Sequence, residues 1–225
     1  MQHEVERFKL RTRWLHWVMV AAFLTLGLTG LFLYIPHLGP VAQDGYTRIL
    51  HRIAAVIFIA APILYFLIAP KNTLLWLKEV FTWGTGDVEW LNAAPDYYFG
   101  GDESGMPPQP HMNTGQKLYA LVAVIGGLGF VVTGLIMWLG KGSISSEGFL
   151  VTVLLHDVFF IGVGSFMLVH FYLGVIHPRM TESLRSMITG KVSVEYAKSH
   201  HGKWYKETSE GKEAVEEKPV GQGEG

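Results

Sequence analysis

The sequence contains no cysteine among its 225 residues. A chain without thiols cannot form disulfides, cannot hold an iron–sulfur cluster through cysteine, and cannot attach haem through a Cys-x-x-Cys-His motif. Any haem must therefore be held non-covalently, and any iron–sulfur cluster that exchanges electrons with this chain must belong to a partner.

Charged residues are also scarce. They make up 16% of the chain, whereas about a quarter of the residues in a soluble domain are charged. Hydrophobic residues make up 49%. Most charges lie at the chain ends and in one loop, so the net charge of −1 does not identify a partner. We expect membrane lipid, and no nucleic acid, around this chain.

Four long segments are almost free of charge and predict four transmembrane helices. They cover about residues 14–34, 49–69, 118–139 and 149–176. Each approaches or exceeds the roughly 20 residues that a helix needs to cross the apolar part of a bilayer. Lipid cannot satisfy backbone N–H and C=O groups, so these spans must be helical. The predicted fold is an all-α integral membrane protein with a four-transmembrane-helix bundle.

Lys and Arg are concentrated before the first span and after the fourth span; the loop 70–117 holds three of them, and the outer turns hold Arg48, Arg52 and Lys141, close to the spans. Because cytoplasmic flanks are enriched in these residues, both termini and this loop are predicted to be cytoplasmic. The loop begins with an amphipathic stretch, 73–83, and then becomes acidic and rich in Gly and Pro. Residues 1–206 would form the membrane domain, and 207–225 a disordered cytoplasmic tail.

Four histidines lie within or at the edges of the spans. His156 and His170 are fourteen residues apart on the fourth span, so both leave the same helix face, about 21 Å apart along the axis. Their depth in the membrane pairs His51 with His156 near the outer face and His16 with His170 near the inner face. A neutral imidazole is a common axial ligand of haem iron. The pattern predicts two b haems with these four ligands; the alternative role is hydrogen bonding between helices.

A polar turn, 113–117, precedes the third span. From the residues alone, the more common role for Asn113 or Thr114 is to cap the helix that follows. The less common role is to bind a quinone carbonyl through side-chain amides and the free backbone N–H groups at the helix start. Both interpretations remain open on this basis.

Several motifs together resemble the cytochrome b (gamma) subunit of respiratory formate dehydrogenases. They lie at 13–17, 48–51, 113–117, 154–156, 170–172 and 190–205. The resemblance extends in order over about residues 7–207, and the last motif is the most discriminating one. Related dihaem cytochromes of nickel–iron hydrogenases and thiosulfate reductases share the four-histidine plan.

The resemblance implies the quinone-reducing membrane subunit of a formate dehydrogenase-type complex in the bacterial inner membrane, not its formate-oxidising subunit. Electrons would come from a catalytic dehydrogenase subunit through an iron–sulfur subunit, cross two b haems, and reduce menaquinone or ubiquinone on the cytoplasmic side. It also implies the same histidine pairs, and a quinone site at Asn113, Gly115 and Gln116 near His170. The loop 84–112 is longer and more acidic than the family leads us to expect, which suggests a docking surface or a lid.

Three alternatives remain at this point. The chain could play the same role in a hydrogenase or thiosulfate-type reductase, or be a stand-alone b-type cytochrome that passes electrons to a soluble acceptor. It could also be an anchor or metal transporter whose histidines bind zinc or copper. Isolated histidines from different helices at matched depth suit a bis-imidazole haem better than a tetrahedral metal site.

Overall fold

The fold is almost entirely helical in the computed structural model, which describes residues 3–43, 45–100 and 105–216. Two short strands are β1 (Glu4–Glu6) and β2 (Lys191–Ser193). In chain order the helices are α1 (Leu10–Tyr34), α2 (Tyr46–Ile68), α3 (Pro70–Phe81), α4 (Thr85–Pro95), α5 (Thr114–Leu139), α6 (Ser146–Phe171), α7 (Thr181–Thr189), α8 (Val194–His200) and α9 (Gly202–Glu216). A π-helical turn, Tyr172–Ile176, extends α6.

Within the described ranges, four helices are long and apolar enough to cross a membrane: α1, α2, α5 and α6. The prediction of four helices of membrane-spanning length and apolarity is thus confirmed. All four begin three or four residues before the predicted start, since polar and charged residues at a span edge can continue the helix. The N-cap of α5 is Asn113, and the N-cap of α6 is Ser145, whose hydroxyl accepts a hydrogen bond from the Gly148 N–H at 3.1 Å.

The spans form two helical hairpins, α1 with α2 and α5 with α6, and the hairpins pack against each other. We call the end that carries the α1–α2 and α5–α6 turns the hairpin end, and the opposite end the terminal end. Glycines allow close approach of α5 and α6, because a Cβ at Gly126 or Gly129 would overlap the side chain of Val163 or the ring of Phe159.

Few side chains of the four spans are buried inside the protein, and most of those are small. They are Ala22, Thr29, Ala54, Thr114, Lys117, Ala120, Gly126, Thr133, Thr152 and Val163. Large apolar side chains face outward instead, among them Leu24, Leu128 and Leu168. An apolar surface of this extent needs an apolar environment, as the interior of a bilayer provides.

The described part of the loop between the second and third spans contains the two α-helices α3 and α4, and a π-helical turn, Asp96–Gly100, that follows α4. The amphipathic stretch becomes α3, as its pattern indicates. Helix α4 was not predicted, because Gly and acidic residues there suggested irregular structure. It is stabilised at its start by reciprocal hydrogen bonds: the Gly84 N–H donates to Asp87 Oδ2 at 2.9 Å, and the Asp87 N–H donates to the Gly84 carbonyl at 3.1 Å. The acidic loop is therefore partly a folded cover on the terminal end.

The N-terminal and C-terminal segments meet at the terminal end in a unit that we call the terminal clasp (residues 3–8, 109–111 and 190–209). Strand β1 pairs antiparallel with β2, so that Val5 lies opposite Val192. Val192, Tyr196 and Ala197 form a small buried cluster, against which Val5 packs. Both chain ends consequently lie on one side of the bundle.

The clasp also buries Arg7 and His201. Arg7 donates to the His111 carbonyl at 2.8 Å and lies over the Trp204 ring. His201 is fully buried, with Nδ1 3.0 Å from the Pro110 carbonyl. A carbonyl can only accept, so Nδ1 carries the proton. Burial, aided by the charge of Arg7, lowers the pKa of His201 to about 2.

Helix α9 continues to Glu216, past residue 207, where the sequence predicted the disordered tail to begin. Glu, Lys and Ala in this stretch are good helix formers, which explains why the helix runs on. The rest of the predicted tail, 217–225, lies outside the described residues.

Candidate functional site

The bundle brings His51 and His156 together from α2 and α6. Their ring centroids are 6.5 Å apart and the rings are tilted by 58°. Imidazole nitrogens bind first-row metals at about 2 Å and the ring centroid lies about 1 Å behind the nitrogen, so two imidazoles on opposite sides of one iron atom have centroids about 6 Å apart. The spacing of this pair therefore fits axial ligation of one haem iron.

Each of these two rings contacts a threonine from the neighbouring helix of its hairpin. Thr29 Oγ1 lies 2.8 Å from His51 Nδ1, and Thr133 Oγ1 lies 2.7 Å from His156 Nδ1. The sequence reasoning missed both threonines. A signal was present, because Thr-Gly-Leu occurs at 29–31 and again at 133–135. The repeated motif could be linked to the histidines only once it was known that α1 pairs with α2 and α5 with α6.

The second predicted pair lies nearer the terminal end. His16 lies on α1 and His170 on α6, and these two helices contact each other. His16 Nδ1 is buried and has no hydrogen-bond partner among the described residues. His170 stacks on Tyr119 of α5, with ring centroids 4.2 Å apart and the planes 3° from parallel. Both histidines are thus half-buried in the bundle. The unpartnered Nδ1 of His16 is consistent with a bound cofactor beside this ring.

The turn before α5 forms a capping box. Asn113 Oδ1 accepts a hydrogen bond from the Gln116 N–H at 2.9 Å, and Gln116 Oε1 accepts one from the Asn113 N–H at 3.0 Å. The N-cap interpretation of Asn113 is therefore confirmed. Capping uses the oxygens of both amides, which leaves their NH₂ groups for any ligand.

Helix α4 covers this turn. A Cβ at Gly115 would lie 2.9 Å from Trp90 Cη2, so glycine is needed for the indole to pack there. Trp90 is itself buried. The part of the acidic loop that folds into α4 thus lies directly against one of the predicted quinone-site residues.

A buried ion pair fixes α4 to α5. Lys117 Nζ lies 2.7 and 2.8 Å from the two carboxylate oxygens of Asp87, and Thr114 Oγ1 donates to Asp87 at 2.9 Å. The side chain of Lys117 is 5% exposed and that of Asp87 is 13% exposed. Burial opposes ionisation of Asp87, but hydrogen bonds from Lys117, Gly84 and Thr114 outweigh it and lower its pKa.

Glu79 of α3 lies near the same turn and behaves in the opposite way. Its carboxylate accepts a hydrogen bond from the Met112 N–H at 2.7 Å. Burial nevertheless raises its pKa, and the hydrogen bond and the charge of Lys117 offset this only in part. The pKa is therefore lowered for one carboxyl beside the turn and raised for another.

No group of three or more His, Cys, Asp or Glu residues in the described part of the chain is arranged to hold a metal ion. The histidines come instead in pairs from separate helices.

Comparison with known proteins agrees with this description. Residues 7–190 match the family described as prokaryotic cytochrome b561. The chain is 28% identical over 219 residues to the cytochrome b556(Fdn) subunit of the nitrate-inducible formate dehydrogenase of Escherichia coli (strain K12), covering 90% of this chain and 91% of that protein. It is 26% identical over 213 residues to the formate dehydrogenase cytochrome b556 subunit of Haemophilus influenzae, covering 89% and 82%. With a family match over most of its length and four helices able to span a membrane, the chain belongs to the prokaryotic cytochrome b561 family.

Proposed function

We propose that this chain is the membrane cytochrome b subunit of a formate dehydrogenase-type complex. The observation that carries the proposal is the His51–His156 pair, whose 6.5 Å centroid separation suits two axial ligands of one iron. The names of the two relatives supply the kind of complex. Membership of a cytochrome b family implies haem b as the cofactor.

In this proposal His51 and His156 hold one haem b near the hairpin end, and His16 and His170 hold a second nearer the terminal end. When bound, haem b supplies one-electron transfer at the potential of its iron. The contribution of the chain is to present one ligand of each pair from α6, with His156 and His170 about 21 Å apart along the helix axis. A single rigid helix thus sets the spacing of the two sites.

The turn at the start of α5 is the proposed quinone site. The NH₂ groups of Asn113 and Gln116 would donate to a quinone carbonyl, and Gly115 leaves room for Trp90 to cover the site. His170 is linked to the same helix because it stacks on Tyr119. Glu79, with its raised pKa, is a suitable proton donor beside the turn.

The proposed orientation puts both termini in the cytoplasm of a bacterium and the hairpin end outside its inner membrane. The lysines and arginines of the terminal end support it. An iron–sulfur subunit would then deliver electrons at the hairpin end, after a catalytic subunit oxidises formate. Since electrons move inward and quinone reduction consumes protons from the cytoplasm, each electron that crosses against 100 mV would store about 2.3 kcal/mol.

The test is haem stoichiometry in the purified complex and in its His156→Ala variant. We expect two haem b per chain by pyridine haemochrome assay, with low-spin bands in the reduced-minus-oxidised spectrum. The variant should retain one haem, because only the pair at the hairpin end loses a ligand. Loss of both haems from a folded variant would contradict the pairing. Absence of haem from the wild-type complex would contradict the whole proposal.

A further inference from the structure

We propose that Thr29 and Thr133 are positioning residues that hold His51 and His156 in the tautomer whose Nε2 is free to bind iron. This inference rests on the proposed haem ligation and adds two residues to it. It concerns the pair at the hairpin end alone.

The hydrogen bonds of the two hydroxyls determine the tautomer. Thr29 Oγ1 lies 2.6 Å from the Thr25 carbonyl, and Thr133 Oγ1 lies 2.6 Å from the Gly129 carbonyl. A hydroxyl has one proton and a carbonyl can only accept, so each hydroxyl donates to its own helix. Toward the imidazole the threonine oxygen must then accept.

It follows that Nδ1 carries the proton in both rings. A neutral imidazole has only one, so Nε2 of His51 and Nε2 of His156 each retain a lone pair. Histidines that ligate metals generally donate their other N–H to a partner, which fixes both the tautomer and the ring orientation. Each hairpin supplies one threonine as that partner, and His51 also has a hydrogen bond with the backbone of Leu26.

Back-bonding of threonine to its own helix is common in membrane spans and would not by itself indicate a role. Thr152 of α6 illustrates this case, because it is buried and donates to the Gly148 carbonyl at 2.8 Å, with no hydrogen bond to a histidine in the described part of the chain. Thr29 and Thr133 are 4% and 5% exposed and make the additional contact. The contact is thus specific to these two positions.

The residue after each threonine is glycine, and both glycines lie beside the same edge of the ring. A Cβ at Gly30 would be 3.8 Å from His51 Cε1, and one at Gly134 would be 3.7 Å from His156 Cε1. Each Thr-Gly pair therefore forms one wall against which an imidazole rests. His16 of the inner pair has no equivalent, since its Nδ1 has no hydrogen-bond partner among the described residues.

The experiment compares Thr133→Val with Thr133→Ser and Thr152→Val in the purified complex. Haem content, the midpoint potentials of the two haems and the electron paramagnetic resonance g-values of the oxidised form are measured. In Thr133→Val we expect one potential to rise, because the imidazole loses an acceptor for its N–H and donates less electron density to the ferric iron. Affinity for that haem should fall about tenfold. The other haem should not change.

Thr133→Ser keeps the hydroxyl and should retain the wild-type midpoint potentials. Thr152→Val, the control on α6, should also leave both potentials unaltered. Thr29→Val tests the opposite ligand and replaces Thr133→Val if that variant does not fold. If two haems are present and both potentials and g-values are unchanged in the valine variants, the threonines do not position the ligands. A wild-type complex without haem would refute the proposed function itself, and this inference with it.

Discussion

At the scale of single residues, Asn113 caps a helix through its side-chain oxygen and retains an NH₂ group that could bind a ligand. Its side-chain oxygen caps α5 by accepting from the Gln116 N–H. Its NH₂ group is not needed for this interaction. The two functions can therefore be separated by substitutions that preserve the cap and remove the donor.

Asn113→Asp should keep the cap, because Asp and Asn are about equally good N-caps, but it has no amide donor. If Asn113 donates to a quinone carbonyl, the KM for quinone should rise roughly three- to tenfold, the equivalent of one lost hydrogen bond of about 1 kcal/mol. Asn113→Ser is the control for the added charge, since serine caps the helix and is neutral. An unchanged KM in both variants, with folding intact, would leave Asn113 a helix cap only.

The sequence predicts the four histidines and Asn113 because their positions relative to the spans can be counted. It does not predict Thr29 or Thr133, since threonines are unremarkable in apolar helices. Their importance depends on the contact between α1 and α2 and between α5 and α6, and periodicity along one helix carries no information about rotation relative to a neighbour.

At the scale of elements, the four spans follow from length and apolarity, whereas α4 does not. Helix α4 depends on one short-range and one long-range interaction. The short-range one is the hydrogen bonding between Gly84 and Asp87, and the long-range one is the ion pair between Asp87 and Lys117, thirty residues apart. Only the first could be recognised from a capping pattern. The second requires the start of α5 to be in place, so α4 is a helix that its partner stabilises.

Asp87→Asn should loosen α4 from α5. It would leave Lys117, with its side chain 5% exposed, without a counter-charge. Removing one partner of a buried ion pair costs about 3 kcal/mol at the low end of the usual range, so hydrogen exchange of the α4 amides should become roughly a hundredfold faster. Glu89→Gln, which changes an exposed acid on the same helix, should leave the exchange rate unchanged. Equal rates in all three proteins would show that the ion pair does not hold α4.

At the scale of the whole molecule, the terminal clasp joins the two ends of the chain. The sequence motif at 190–205 marks this region as distinctive without revealing its role, because part of its packing is made with distant residues: His201 bonds to the Pro110 carbonyl, and Val5 of β1 packs against the cluster that contains Tyr196. Long-range pairings of this kind are not encoded in local pattern.

The clasp should weaken as the pH falls. The pKa of His201 is lowered from 6.5 to about 2, so the folded ring stays neutral while the unfolded ring becomes protonated below pH 6.5. Stability is therefore fully present above pH 6.5 and is lost as the pH decreases, by about 2 kcal/mol at pH 5. Burial lowers the pKa of His111 to about 4, which acts in the same direction.

His201→Gln removes this contribution, and its clasp should show a smaller decrease in stability between pH 7.5 and pH 5 than the wild type. Limited proteolysis and hydrogen exchange of α8 measure the difference. His37→Gln, at an exposed histidine of the hairpin end, should behave like the wild type. The same pH dependence in His201→Gln and wild type would mean that other groups control it.

The pairing of β1 with β2 also constrains biosynthesis. Strand β1 is made first, but its partner at 191–193 leaves the ribosome only after all four spans have been translated. The two strands can meet only if an even number of spans has been inserted, because an odd number leaves the chain ends on opposite sides of the bilayer. A closed clasp therefore excludes an odd number of inserted spans, and a chain that failed to insert one span would expose two unpaired strand edges, one on each side of the bilayer, to the quality-control proteases of the cell.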